Sequence, residues 1–278
     1  DEVIVIEPVY DSYIPSIDTV GGTAVPVQLI VKRNDDGDIS GYEIPWDAMA
    51  KAITSRTKMI MINSPHNPTG MVWQSADIDR LADLVRDTDI LICSDEVYEH
   101  MVFDGKDHQS VARHPELAER SFVISSFGKT YHVTGWKVGY VAAPAHLSAE
   151  FRKVHQFNCF SCFTPAQVAL AEYLKNPDHY LELGGFYQQK RDLFLSLLKD
   201  SRFDFIPSKG TYFQLLNFSK ITYESDVDFA IKLTKEQKIA SIPISVFNEA
   251  GLDTKVLRFC FAKTDETLKK AAEILCKI

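Results

Sequence analysis

Short apolar runs alternate with amphipathic stretches along most of the chain. Runs at 3–6, 24–30, 59–62, 90–93, 122–125 and 138–142 read as strands, because brief apolar segments bounded by turn residues suit buried strands. Between them, 46–54, 75–86 and 147–157 carry helical patterns. Ser75 with Asp77 and Asp79 predicts a helix start, since side-chain oxygens and negative charge suit a first turn. Near-continuous apolar strands alternating with helices predict an α/β fold, a mostly parallel sheet with helices on both faces.

The period becomes helical and long from 164 to about 198, broken near Asn176-Pro177, with the second helix expected over 180–198. After Pro207 the pattern changes again. Strands are expected at 211–217, 240–242 and 256–261, and helices at 226–236 and 265–277. This predicts a large domain over 1–165, connecting helices over 166–200 and a small α+β domain over 201–278.

Composition narrows the function. The chain has 278 residues, 45% apolar and 24% charged, ordinary for a globular protein. A net charge of −8 argues against a nucleic-acid footprint, which needs clustered Lys and Arg. No apolar run approaches the ~20 residues of a membrane span. An odd number of cysteines, five, in a chain able to build its own core favours reduced thiols and a cytoplasmic setting. Cys159-Phe160-Ser161-Cys162 has C-x-x-C spacing, but no second pair completes a zinc site and it opens no helix after a strand. The expectation is no metal.

The candidate chemistry lies where strands end. Strand 122–125 empties into Ser126-Phe127-Gly128-Lys129-Thr130, followed by Gly135-Trp136-Lys137. Gly128-Lys129-Thr130 resembles the end of a P-loop, but the position needing the first glycine is Val123, inside the strand. Strand 59–62 ends in Asn63-Ser64-Pro65-His66-Asn67-Pro68-Thr69-Gly70, a rigid turn that aims the Asn67 amide or holds it in an Asx turn. Strand 90–93 ends in Ser94-Asp95-Glu96-Val97-Tyr98. A carboxylate there needs a cation or donor, or serves as a helix cap. A helical turn from Asp95 would bring Tyr98 to the same side. Tyr10, in Glu7-Pro8-Val9-Tyr10-Asp11-Ser12-Tyr13, either stacks on a flat ligand or packs in the core. Arg258 sits among apolar neighbours and needs an anion, either a structural carboxylate or a substrate carboxylate.

Taken together, EPVYDSY, NSPHNPTG, SDEVYEH, SSFGKTYHVTGWKVG, GTYF and LRFCFAK resemble a class I pyridoxal-phosphate-dependent aminotransferase of fold type I. The likeness is greatest to the methionine and kynurenine/glutamine aminotransferase group and runs over the whole chain. It implies that Lys129 forms the internal aldimine with pyridoxal 5'-phosphate and later shuttles the proton. It implies that Asp95 pairs with the pyridinium nitrogen, Asn67 and Tyr98 with the ring hydroxyl oxygen, and Tyr10 with the ring face. Ser126 and Lys137 match phosphate ligands, and Arg258, beside Asn67, matches the substrate-carboxylate arginine. The implied reaction moves an amino group from methionine, glutamine or an aromatic, kynurenine-like donor to a 2-oxo acid. The implied assembly is a homodimer sharing its active site. The resemblance also implies a segment ahead of Asp1, holding a helix N-terminus and a partner-lent tyrosine for the phosphate, so the chain is expected to be a fragment. Two rivals keep the fold: a β-lyase acting on cysteine conjugates, and a ligand-sensing domain of a transcription regulator.

Overall fold

The computed structural model describes residues 1–278. Eleven strands form three sheets: β1 (Glu2–Glu7), β2 (Thr23–Gln28), β3 (Ile30–Arg33), β4 (Ile39–Glu43), β5 (Thr57–Asn63), β6 (Leu91–Asp95), β7 (Ser121–Ser126), β8 (Gly139–Ala142), β9 (Phe213–Asn217), β10 (Ile242–Pro243) and β11 (Val256–Cys260). The helices are α1 (Tyr13–Thr19), α2 (Trp46–Ala52), α3 (Ser75–Val85), α4 (Pro115–Ala118), α5 (Phe127–Thr130), α6 (Ala145–Asn158), α7 (Thr164–Tyr173), α8 (Asp178–Leu181), α9 (Leu183–Leu197), α10 (Asp226–Lys232) and α11 (Asp265–Leu275).

The main sheet runs β2-β1-β5-β6-β7-β8, with all neighbours parallel except the antiparallel β7–β8 pair. Strand parity explains why it is covered on both faces. Ile4, Ile6, Ile60, Ile62 and Ile92 pack one way, against Trp46 and Met49 of α2 and Ile78, Leu81 and Val85 of α3. Val3, Val5 and Met61 pack the other way, against Tyr13 and Ile17 of α1. Helix α3 begins at Ser75 as expected, with Gln74 as its cap, and the Asp77 carboxylate accepts the Gln74 backbone N–H at 2.8 Å.

The small sheet, β10-β11-β9, is antiparallel. Its core joins Leu216, Leu257 and Phe259 to α9, α10 and α11, and also to Tyr98, Met101 and Phe103 beyond β6. That cluster crosses the boundaries expected between 1–165, 166–200 and 201–278.

Several expected elements differ. The strand expected over 24–30 ends at Gln28, and the chain then forms a β3–β4 hairpin whose turn is closed by the Asn34 side chain and by Gly37 at φ 83°. The second long helix starts at Leu183 rather than 180, after the short α8. The helix expected over 226–236 is α-helical only to Lys232 and continues as a π-turn over Leu233–Gln237.

Main and small sheets meet through a close backbone approach. The Lys209 N–H donates to the Gly70 carbonyl at 3.0 Å, and the Thr211 N–H to the Met101 carbonyl at 3.0 Å. A Cβ on Gly210 would lie 2.6 Å from Pro65 Cβ and 2.8 Å from the Met101 carbonyl oxygen. Buried Arg191 clamps the same junction, donating to the Asp104 carboxylate and to the Ser208 carbonyl at 2.7 Å. That guanidinium, with Lys209, holds the Asp104 carboxyl well below the usual carboxylate range. Gly210→Ala is therefore expected to lower stability by about 1–3 kcal/mol, the usual cost of overpacking, measured by urea unfolding. An unchanged midpoint would mean that the junction yields to a methyl group.

Candidate active site

Because β1, β5, β6 and β7 are parallel, their carboxyl ends share one edge, where open α/β sheets place their ligands. That edge receives Tyr10 after β1, Asn67 after β5, Asp95 at the end of β6, and Ser126 and Lys129 at the end of β7.

Asp95 is the electrostatic centre. Its carboxylate accepts hydrogen bonds from the Tyr13 hydroxyl and from the Val97 N–H at 3.1 Å. The second contact is the local turn that a capping reading anticipated, although no helix follows. Burial raises the Asp95 pKa, while the two donors and the charge of Lys129 pull it down. No cation of the chain forms an ion pair with it.

Lys129 stands at the C-terminal side of the one-turn α5, whose first N–H groups are capped by Ser126: Gly128 N donates to Ser126 Oγ at 3.1 Å. Its Nζ lies 5.9 Å from the centre of the Tyr98 ring and 6.0 Å from that of Tyr212. Tyr98 is buried, and burial with Tyr212 alongside pushes its phenol pKa well above 10, so it remains a donor. Gly128 is required where the loop folds back: a Cβ there would meet Thr134 Cα at 2.9 Å.

Arg258 arrives from β11. Its Nη1 donates to Asn67 Oδ1 at 2.5 Å, and its guanidinium lies 4.0 Å from the Phe213 ring centre and 4.7 Å from that of Phe247. It makes no ion pair with a carboxylate of the chain, so the structural-partner alternative finds no support. Arginine only donates, which turns the amide oxygen of Asn67 towards it and leaves Nδ2 without a partner in the chain. Asn67 makes no Asx turn of its own. Asn63 fills that place, accepting the Asn67 N–H at 2.7 Å and donating to the Asp95 carbonyl at 2.9 Å.

The structure thus gathers Asp95, Lys129, Tyr98, Asn67 and Arg258 into one cluster. Tyr10 borders it, 40% exposed and edge-on to Tyr13 at 5.6 Å. Lys137 stands apart: it is exposed, at φ 55° after a 3₁₀ turn, and its side chain bonds to nothing in the chain. Tyr13, Asn63, Tyr212 and His66 were not singled out in the sequence. Tyr13 follows Tyr10 by three residues, and Asn63 opens the proline turn, so both lay within quoted motifs. Burial drives the pKa of His66 down to about 4, and the neutral ring bonds Thr69 Oγ1 at 2.7 Å, bracing the turn.

Sheet order, strand-end chemistry and the paired loops are those of a fold-type I transferase. The family model for aminotransferase class I and II matches residues 1–275, and the chain belongs to that family, whose members depend on pyridoxal phosphate. It is 46% identical to the methionine aminotransferase of Escherichia coli (strain K12), covering 99% of this chain and 69% of that one. It is 34% identical to the kynurenine–oxoglutarate transaminase of Dictyostelium discoideum, covering 100% and 71%. Among solved structures, the E. coli enzyme with methionine aminotransferase function superposes with a TM-score of 0.94 at 46% identity, over 100% of this chain and 72% of that one. The N-succinyldiaminopimelate aminotransferase of Mycobacterium tuberculosis superposes with a TM-score of 0.92 at 34% identity, over 100% and 71%. The protein is a transaminase.

The sign of the Asp95 shift gives a test. A carboxyl whose folded pKa is raised destabilises the fold as pH rises above its unfolded value of about 4. Asp95→Asn should therefore make the cofactor-free protein more heat-stable at pH 7 than wild type, with the difference vanishing below about pH 4. A variant less stable at both pH values would show that the hydrogen bonds outweigh the burial of charge.

Proposed function

We propose that the chain transfers the amino group of a neutral amino acid, namely methionine, glutamine or an aromatic, kynurenine-like donor, to a 2-oxo acid, with pyridoxal 5'-phosphate as cofactor. The observation that carries this reading is Arg258, a guanidinium with no carboxylate partner, braced by Asn67 against the Asp95–Lys129 cluster. An α-carboxylate fits that planar fork with two parallel hydrogen bonds.

The residues fit the cofactor. Asp95 is a carboxylate in a desolvated place without a cation, which suits a protonated ring nitrogen. When bound, the cofactor supplies an electron-withdrawing ring that stabilises negative charge at the donor's α-carbon. Asp95 keeps that ring nitrogen protonated, and Tyr13 keeps Asp95 charged. The free Nδ2 of Asn67 and the Tyr98 hydroxyl donate to the ring hydroxyl oxygen. Tyr10 covers the ring face. Ser126 and Lys137 bind the phosphate, Lys137 as a point charge held by the turn behind Gly128. Lys129 holds the cofactor when no donor is present, and its freed amine then removes the α-proton. Two aromatic rings, Tyr98 and Tyr212, flank that amine.

A neutral donor follows from what surrounds Arg258. The Phe213 and Phe247 rings lie 4.0 and 4.7 Å from its guanidinium, an apolar setting that favours an uncharged substrate side chain. The names of the E. coli and Dictyostelium relatives agree with a neutral donor. A homodimer with a shared site is the assembly we expect. Five free cysteines suit a reducing compartment, the cytoplasm, and no helix is long and apolar enough to cross a membrane.

Lys129→Ala is expected to lower transamination of methionine by on the order of 10⁴-fold, followed as 2-oxo acid formed. Turnover near wild type would exclude it as the proton carrier. Arg258→Ala should lower kcat/KM for amino acids about 10–100-fold, the loss of a charged hydrogen-bond pair of roughly 1.5–3 kcal/mol, mostly through KM. In a donor panel, aspartate turning over faster than methionine, glutamine and kynurenine would overturn the neutral-donor assignment.

A further inference from the structure

Away from the strand ends, the C-terminus of α6 gathers three soft ligands. His155 and Cys159 are four residues apart and therefore lie one above the other on a helix face. The chain then reverses: Phe160 adopts φ 60°, and its N–H and that of Cys159 both donate to the His155 carbonyl, at 3.2 and 2.8 Å. A left-handed conformation is costly for a bulky residue. Here it folds Cys162 back over the end of the helix. An imidazole nitrogen of His155 and the sulfurs of Cys159 and Cys162 all lie within 4.8 Å of one another.

We propose that His155, Cys159 and Cys162 form a binding site for a zinc-class cation. The ligand set, two thiolates and an imidazole, is the one such ions take. Bonds of about 2.0–2.3 Å in tetrahedral geometry place ligand atoms ~3.5–3.8 Å apart, so small side-chain rotations close the group on one ion. Binding displaces the thiol protons to solvent and leaves a fourth position for water. The free carbonyls of a helix C-terminus favour a cation. The Phe151 ring stacks on His155 at 5.3 Å and limits how the imidazole turns. The sequence alone conceals this site because the third ligand sits on the preceding helix rather than in a second cysteine pair. The ion would pin the 159–163 linker, which carries the exposed Phe160 and Phe163, to the end of α6.

The test uses the full chain, reduced with a phosphine, stripped by a chelator and titrated with Co²⁺ alone. The expected result is a thiolate-to-cobalt charge-transfer band with tetrahedral visible bands, saturating at one equivalent and bleached by Zn²⁺. Cys159→Ser and Cys162→Ser should each abolish the charge-transfer band or cut it to half, and the double variant should lose it. His155→Ala should weaken Co²⁺ binding about tenfold or more. Cys276→Ser, which removes an exposed thiol elsewhere, should leave the signal intact. Cys159 is exposed and its replacement should leave circular dichroism unchanged, which separates lost ligation from lost fold. No charge-transfer band, or a band that survives in the double variant, overturns the site.

Discussion

Everything at the sheet edge is arranged around a carboxylate that the fold itself does not neutralise. Asp95 lies where β6 leaves the sheet, between β5 and β7, so its partial burial there follows from strand order. A carboxylate in such a place normally finds a cation of the chain or becomes protonated. Here the chain supplies two hydrogen bonds and the more distant charge of Lys129, which moderate the cost without removing it. The same desolvation that costs stability strengthens any interaction with a cation that arrives from outside. The burial that costs stability at Asp95 is thus also what would favour the positively charged ring proposed to bind there.

Arg258 repeats the arrangement with the opposite sign. Its guanidinium lies near the Phe213 and Phe247 rings, and burial lowers its pKa, yet its hydrogen-bonding partner is a neutral amide. The amide belongs to the loop after β5, whereas the arginine comes from the small sheet. The contact therefore links the two sheets at the proposed carboxylate site. The close approach of Gly70 and Gly210 and the Arg191–Asp104 pair hold the same junction from behind. Precise placement of a binding group needs such rigid support, because small displacements are costly in catalysis.

What the sequence revealed follows from what acts locally. Lys129, Asp95 and Asn67 were legible because each stands at the end of an apolar strand or within four residues of it, and parallel strands deliver their ends to one edge. Tyr13 was not, because it reaches Asp95 from α1 across 82 residues, a contact set by tertiary packing. Asn63 was hidden because strand and turn share it. The β3–β4 hairpin was missed because Thr23–Gln28 and Ile30–Arg33 form one nearly unbroken β-prone stretch, interrupted only at Leu29.

Two kinds of lysine illustrate the limit further. Lys129 is positioned by a cap, a glycine contact and two rings, so its place is defined before any ligand binds. Lys137 has only its backbone fixed, in a left-handed turn, with its side chain exposed. That difference matches their proposed tasks. A proton carrier must meet one carbon atom within a narrow range of distance and angle. A phosphate ligand acts mainly as a charge on a flexible stem and can order itself on the anion when it arrives. The fold therefore spends its rigid contacts on the group that needs them and leaves the other to the ligand.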